Sequence, residues 1–343
     1  MASIDPAGRP GDRAAGVLVV CHAGASTGLG HLSRMLALIA ALRTRGVTDL
    51  RMLVIGEEIK LSGLEAVPHR IAAPDAHLAD DVLLEIDAVS PSVVVFDLYP
   101  GRVEDGLNSM LKILAERGIR LVGVDSLRSS CSVLDLVWIP SFHVAPSELL
   151  ACPGKLKFGW DTFLIRKRIT DRKWRPGNRV LALTGGSDAT GQGATLPGLL
   201  DRSLSAGTEV HWVRGPFSPA PLLPPSSRLK WLVHDAPNGL DELIVASDYV
   251  ITVFGVSFFE AANYGIPTVV FSPYGEKDSV ELGALRAERM CEVAANGEAA
   301  VERLVTLMAD PETAACYSTS CKRLLAVDGA GNLAEHIHSL IDR

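Results

Sequence analysis

Twice along the chain a short β-branched apolar run stops at a glycine loop and passes into a helical pattern. Val17-Leu-Val-Val-Cys21 enters the small-residue loop Ala23 to Gly30, and from Leu32 the apolar residues Leu32, Met35, Leu36, Ile39 and Leu42 fall near helical spacing. Gly46 then stands where a C-terminal glycine cap belongs. Met52–Ile55, Val93–Phe96 and Leu121–Val124 are further strand candidates, with helical patterns near 77–88 and 103–117 between them. Strands alternating with helices predict a parallel sheet covered on both faces.

The pattern halts at Arg166-Lys-Arg168 through Arg175-Pro-Gly177, a charged stretch suited to an exposed linker, and then restarts. Val180-Leu-Ala-Leu183 runs into Gly185-Gly-Ser-Asp188, followed by a helix, strands near 209–213 and 230–233, and a helix near 239–247. Tyr249–Val253 is the next strand, then a helix from about Ser257 to Tyr264 capped by Gly265, then the strand Thr268–Phe271. The expected division is a disordered tail over 1–16, a Rossmann-like domain over 17–165, a linker over 166–178 and a second Rossmann-like domain over 179–343. Two such α/β domains facing one another form a cleft.

At 343 residues the chain is long enough for two cores that need neither metals nor disulfides. A formal net charge of −7 argues against nucleic acid as a partner, since gripping a phosphate backbone needs a basic face. The six cysteines form no CxxC pair and are expected as reduced, mostly buried thiols. No apolar run has the length of a membrane span, and Val17–Val20 is too short for a signal-peptide core, so the expected location is cytoplasmic.

In open parallel sheets ligands bind outside the carboxyl ends of the strands, which selects four loops. In the first, Gly24 to His31, the glycines permit close backbone approach, and His31 is either a general base or a capping histidine on a turn. A dinucleotide fingerprint would need glycine where Ser33 stands. Gly185-Gly186-Ser187-Asp188 either turns backbone amides toward an anion or is a plain strand-to-helix turn with Asp188 as cap. Gly255-Val256-Ser257 opens a helix whose N-terminal amides would face a phosphate, and Glu260 either holds ribose hydroxyls or is simply an acidic residue in a first turn. Asp97-Leu-Tyr99 either touches a sugar or contains a buried capping aspartate.

Gly28-Leu-Gly30-His31-Leu-Ser-Arg34 resembles the GxGHxxR signature of the nucleotide-sugar hydrolase of pseudaminic-acid biosynthesis and the related spore-coat polysaccharide glycosyltransferases. Asp97-Leu-Tyr99, Gly185-Gly-Ser-Asp188 and Asp328-Gly-Ala-Gly331 match further motifs of that family in order, over roughly 17–331. The first loop and the Glu260 helix resemble, more distantly, the lipid-linked N-acetylglucosamine transferase of peptidoglycan synthesis. The resemblance implies a GT-B fold with two Rossmann-like domains across a cleft, and a nucleotide sugar, expected to be a UDP-sugar, held mainly by the second domain. His31 would then activate water or an acceptor hydroxyl, Gly28, Gly30, Arg34, Asp97, Tyr99 and His22 would line the substrate side, and no metal or other cofactor would be required. Gly185, Gly186, Ser187, Gly255, Val256, Ser257 and Glu260 would bind the nucleotide.

The chain departs from the family at His22, where an acidic residue is usual, and at Glu276-Lys-Asp-Ser279, where an Asn-Gln pair is usual. In the family these positions contact sugar, so the resemblance implies a different sugar here, and glycosyltransfer to an unidentified acceptor is favoured over hydrolysis to free sugar and nucleoside diphosphate. A noncatalytic nucleotide-sugar-binding protein is the remaining alternative, which an intact His31 beside an intact glycine loop opposes.

Overall fold

A computed structural model describes residues 16–59, 61, 63–75, 77–100, 106–125, 127–170 and 173–342. Most of the expected N-terminal tail, and the first residues of the helix expected near 103–117, lie outside them.

The first domain is a seven-stranded parallel sheet in the order β3-β2-β1-β4-β5-β6-β7, built from β1 (Val17–Ala23), β2 (Leu50–Gly56), β3 (His69–Ala72), β4 (Val93–Asp97), β5 (Arg120–Val124), β6 (Leu136–Trp138) and β7 (Leu156–Lys157). Alternate residues of each strand point to opposite faces. Val17, Val19, Cys21 and Ala23 therefore join one core with α1 (Gly30–Thr44), while Leu18 and Val20 join another with α2 (Leu78–Val89) and α3 (Leu107–Glu116). This double burial is why the strands read as unbroken apolar runs rather than alternating ones. The short helix α4 (Pro146–Ala151) buries no side chain.

The second domain is a six-stranded parallel sheet, ordered β10-β9-β8-β11-β12-β13. Its strands are β8 (Arg179–Leu183), β9 (Glu209–Arg214), β10 (Lys230–Asp235), β11 (Tyr249–Val253), β12 (Thr268–Phe271) and β13 (Glu292–Ala294). Helices α5 (Leu196–Ser203), α6 (Asp241–Ala246), α7 (Val256–Asn263), α8 (Ser279–Ala287), α9 (Gly297–Ala309) and α10 (Pro311–Leu324) accompany it. The last helix, α11 (Gly329–Ile341), returns to the first domain, where Ala330, Leu333, Ala334 and Ile337 share a core with α1 and β1. Asp328 caps α11 by accepting from the Gly331 amide at 3.0 Å. A Cβ at Gly329 would meet the Phe163 carbonyl oxygen at 2.5 Å, so the backbone here packs against backbone. The Asp328–Gly331 turn thus ties the end of the chain to the edge of the first domain.

The thiol expectation is corrected at two positions. Cys131 and Cys152 are joined in a disulfide, with Cα atoms 5.6 Å apart, because the chain reversal through β6 brings the turn at 128–130 beside α4. Cys21, Cys291 and Cys321 are buried thiols and Cys316 is exposed.

Candidate active site between the two domains

The chain leaves the neighbouring strands β1 and β4 toward opposite edges of the first sheet, and does the same at β8 and β11 in the second. Each split opens a crevice at the carboxyl ends, the place where such sheets bind ligands. The two crevices face each other across one cavity of about 530 Å³, a volume in the range of small-molecule sites.

On the first-domain side the loop after β1 closes on itself, with Gly24 and Gly28 exchanging backbone hydrogen bonds of 3.1 and 2.7 Å. Gly28 has φ 71, a conformation that glycine adopts without penalty. The Ala25 amide donates to the Glu57 carboxylate at 2.7 Å, which anchors the loop to the end of β2. The loop delivers the chain to α1, which begins without a side-chain cap and so turns its first amides toward the cavity.

Within the first turn of α1, His31 and Arg34 converge on Asp97 at the end of β4. His31 Nδ1 lies 2.7 Å from Asp97 Oδ1, and Arg34 donates to the same carboxylate at 2.8 and 3.0 Å. Arg34 Nη2 is also 3.0 Å from His31 Nδ1. The two neighbours demand opposite tautomers, since the guanidinium can only donate and the carboxylate can only accept. The shorter contact, to a fully buried carboxylate, decides: Nδ1 carries the proton and donates to Asp97, leaving Nε2 as an acceptor. Arg34 also reaches Asp125 at 3.2 Å. Burial works against the charge of Arg34, but Asp97 and Asp125 outweigh it and raise its pKa above the ordinary value. Burial likewise pushes the Asp125 carboxyl up, and Arg34 overrides this to hold it below its usual range.

On the second-domain side α7 starts after Gly255 with no side-chain cap, so a second set of helix N-terminal amides opens on the same cavity. Glu260, one turn on, accepts from the Ser33 hydroxyl of α1 at 3.3 Å across the domain boundary. Burial, and then the nearby Asp241 carboxylate, push the Glu260 carboxyl up to about 7 against the pull of Ser33. Asp241 in turn accepts from the Tyr264 hydroxyl at 2.5 Å and the Arg168 amide at 3.1 Å.

Glycine has a second use here. A Cβ on Gly186 would lie 2.8 Å from Leu29 Cγ, and one on Gly30 would lie 3.2 Å from Val256 Cγ2. Both positions let the domains approach, which is a different requirement from a phosphate's approach to the backbone.

Of the residues selected by sequence, Gly28, Gly30, His31, Arg34, Tyr99, Gly185, Gly186, Ser187, Gly255, Val256, Ser257 and Glu260 line the cavity. Asp97 and His22 do not. Asp97 is wholly buried behind His31 and Arg34, and His22 is 2% exposed, its Nδ1 accepting from the Tyr99 amide at 2.9 Å. Asp97 thus follows its buried alternative, and His22, expected on the substrate side, is instead packed behind the Tyr99 amide. Asp188 is buried and accepts from the amides of Gln192 and Gly193, each at 2.8 Å, so it ties down the loop before α5 and is not the N-cap of that helix, a place Thr195 takes. Lys277, from the Glu276–Ser279 segment, lines the cavity as well, and sequence reasoning missed Ser33, Asp125, Arg168 and Asp241, which also line it. Asp125 had a visible signal, an acid directly after a buried apolar run, as at Phe96-Asp97. Ser33 acquires its place only when the domains meet, since its partner Glu260 lies across the boundary.

No protein-family model matches the chain, and no curated protein matches it in sequence. Solved structures match its fold. MurG of Acinetobacter baumannii superposes with a TM-score of 0.60 at 12% identity, over 94% of this chain and 99% of that one. TcCGT1 in complex with UDP gives 0.64 at 9% identity, over 95% and 99%. UDP-GlcNAc 2-epimerase from Neisseria meningitidis bound to UDP-GlcNAc gives 0.59 at 11% identity, over 96% and 100%. The architecture, two parallel-sheet α/β domains facing across a cleft, is GT-B. Among the described residues no helix is long and apolar enough to cross a membrane.

Proposed function

We propose that the protein is a glycosyltransferase that takes a nucleoside diphosphate sugar, with UDP as the expected nucleotide, and transfers the sugar by a single displacement at the anomeric carbon. The observation that carries this is His31, oriented by buried Asp97 so that Nε2 remains to take a proton, in the same cavity as the uncapped amides of α7. The solved structures with UDP or UDP-GlcNAc bound share this fold, which supports the choice of nucleotide.

The acceptor hydroxyl gives its proton to His31 Nε2 while its oxygen bonds to the anomeric carbon and the bond to the diphosphate breaks. A proton acceptor placed in this way contributes roughly 10²–10⁴-fold. The departing diphosphate gains charge beside the α7 amides and the Gly185–Ser187 loop, where preorganised dipoles stabilise it without reorganising. Glu260 and Asp241, deeper in the second domain, accept from ribose hydroxyls. Metal-independence is part of the proposal: the amides take the role a divalent cation would otherwise serve.

Hydrolysis is the second reading, favoured by the likeness of Gly28–Arg34 to the pseudaminic-acid pathway hydrolase. It requires only water in the place of the acceptor. Nucleoside diphosphate release from a panel of UDP-sugars, measured with and without candidate acceptors, separates the two. Acceptor-stimulated release supports transfer, and full-rate release in water alone supports hydrolysis.

A further inference from the structure

A second cavity, of about 450 Å³, adjoins the first and shares with it the walls formed by Arg34, Asp125, Phe254 and Lys277. Its lining sets four phenylalanines beside charged side chains. Phe142 and Phe163 face it from the first domain's exit segment, and Phe254 and Phe259 from the second domain. The rings are held in stacked pairs, Phe142 on Trp160 at 4.3 Å and Phe163 on Phe259 at 4.2 Å, so this wall is rigid before anything binds.

The charged side chains around it are mostly engaged. Arg34 is committed to Asp97 and Asp125, and Arg128 donates to Glu148. A saccharide hydroxyl turned toward the phenylalanines would exchange water for aromatic wall, and each buried hydroxyl left without a partner costs free energy. A planar ring compound loses little and gains stacking and apolar burial.

We propose that this cavity is the acceptor subsite and that the acceptor is a small hydroxylated aromatic compound rather than a saccharide. The proposal rests on the transferase reading and specifies its acceptor. The ring body lies against Phe142 and Phe163, and its hydroxyl passes the Arg34–Asp125 boundary into the main cavity. There the O–H proton goes to His31 Nε2, the oxygen bonds to the anomeric carbon, and the diphosphate leaves with the electron pair of the broken bond.

The test uses 4-methylumbelliferone, a fluorescent two-ring phenol, titrated into the full-length chain at saturating UDP. UDP affinity is measured separately by calorimetry on the same samples. Two variants probe the wall: Phe142→Ala removes a stacking surface, and Val280→Trp fills the cavity from an exposed position on α8. The expected result is saturable binding, weakened roughly tenfold or more by Phe142→Ala and abolished by Val280→Trp, with UDP affinity unchanged in both. Absence of saturable binding to the wild type, indifference to both variants, or preferred binding of glucose or N-acetylglucosamine would overturn the subsite. Failure of UDP to bind the wild type would instead overturn the nucleotide reading, and the titration repeated without UDP would still decide whether the aromatic cavity takes the phenol.

Discussion

The carboxylate of Asp97, with no exposure to solvent, holds the imidazole of His31 at 2.7 Å through Nδ1. One buried group thereby sets the tautomer of the side chain that faces the cavity, and its second oxygen anchors Arg34 at 3.0 Å. The Asp97 substitution consequently has two effects that can be measured apart.

Asp97→Asn keeps the size of the side chain and removes the charge. Breaking one partner of a buried ion pair costs roughly 3–5 kcal/mol, so chemical denaturation should show a large loss of stability, even with Asp125 still beside Arg34. His31→Ala, at a half-buried position, should leave stability close to that of the wild type while removing the proposed base. A variant Asp97→Asn as stable as the wild type would mean that Arg34 draws its support from Asp125 alone.

Glu260 makes the apo protein pH-sensitive in a defined direction. Its pKa of about 7 in the folded chain exceeds the ordinary carboxyl value of 4.5, so between these values the folded state binds more protons than the unfolded one. Stability from this group is present below the unfolded pKa and declines as pH rises through about 7. Glu260→Gln should therefore raise the melting temperature at pH 8, with a benefit that shrinks as pH falls toward 5. Equal benefit at both pH values would contradict the raised pKa.

The same residue gives a binding prediction. If its carboxylate accepts from ribose, Glu260→Ala should weaken UDP binding by about 1–3 kcal/mol, and UDP should bind the wild type more tightly as pH rises through about 7. Calorimetry across that range reads both. Unchanged affinity in the folded variant would remove Glu260 from the nucleotide site.

Gly186→Ala tests the contact between domains. The new Cβ would stand 2.8 Å from Leu29 Cγ, forcing the facing loops apart. UDP-sugar turnover should fall, and Leu29→Ala added to Gly186→Ala should recover it, with a coupling of roughly 0.5–3 kcal/mol. Additive effects of the two substitutions would show that the domains do not meet at this point during turnover.

Much of this was legible in the chain itself. The apolar runs of β1, β4, β8, β11 and β12 sit deep in their sheets, buried on both faces, so their composition declares them. The outer strands β3, β6 and β7 have two to four residues each and mixed character, and they pass for loop. The Gly28–Arg34 motif located His31, because a glycine loop feeding a helix has a local signature. The sequence leaves two places open for its orienting partner: Asp97 is visible as an acid at a strand end, but its burial depends on Arg34 packing over it. His22 shows the same limit, since a histidine in a strand does not reveal which face it takes. The return of α11 to the first domain was hidden for a related reason, because an amphipathic pattern shows that a helix is covered and not what covers it.

The central claim is displacement of a nucleoside diphosphate by an acceptor that His31 deprotonates. Its most direct measurement is UDP released from UDP-glucose and UDP-N-acetylglucosamine by the wild type and by His31→Ala, with and without an acceptor phenol and with and without a chelator. The account predicts slow release without acceptor, a rise of orders of magnitude with it, a fall of roughly 10²–10⁴-fold in His31→Ala, no effect of the chelator, and an inverted anomeric configuration in the product. UDP release by His31→Ala at the wild-type rate, from a donor that the wild type turns over, would contradict it.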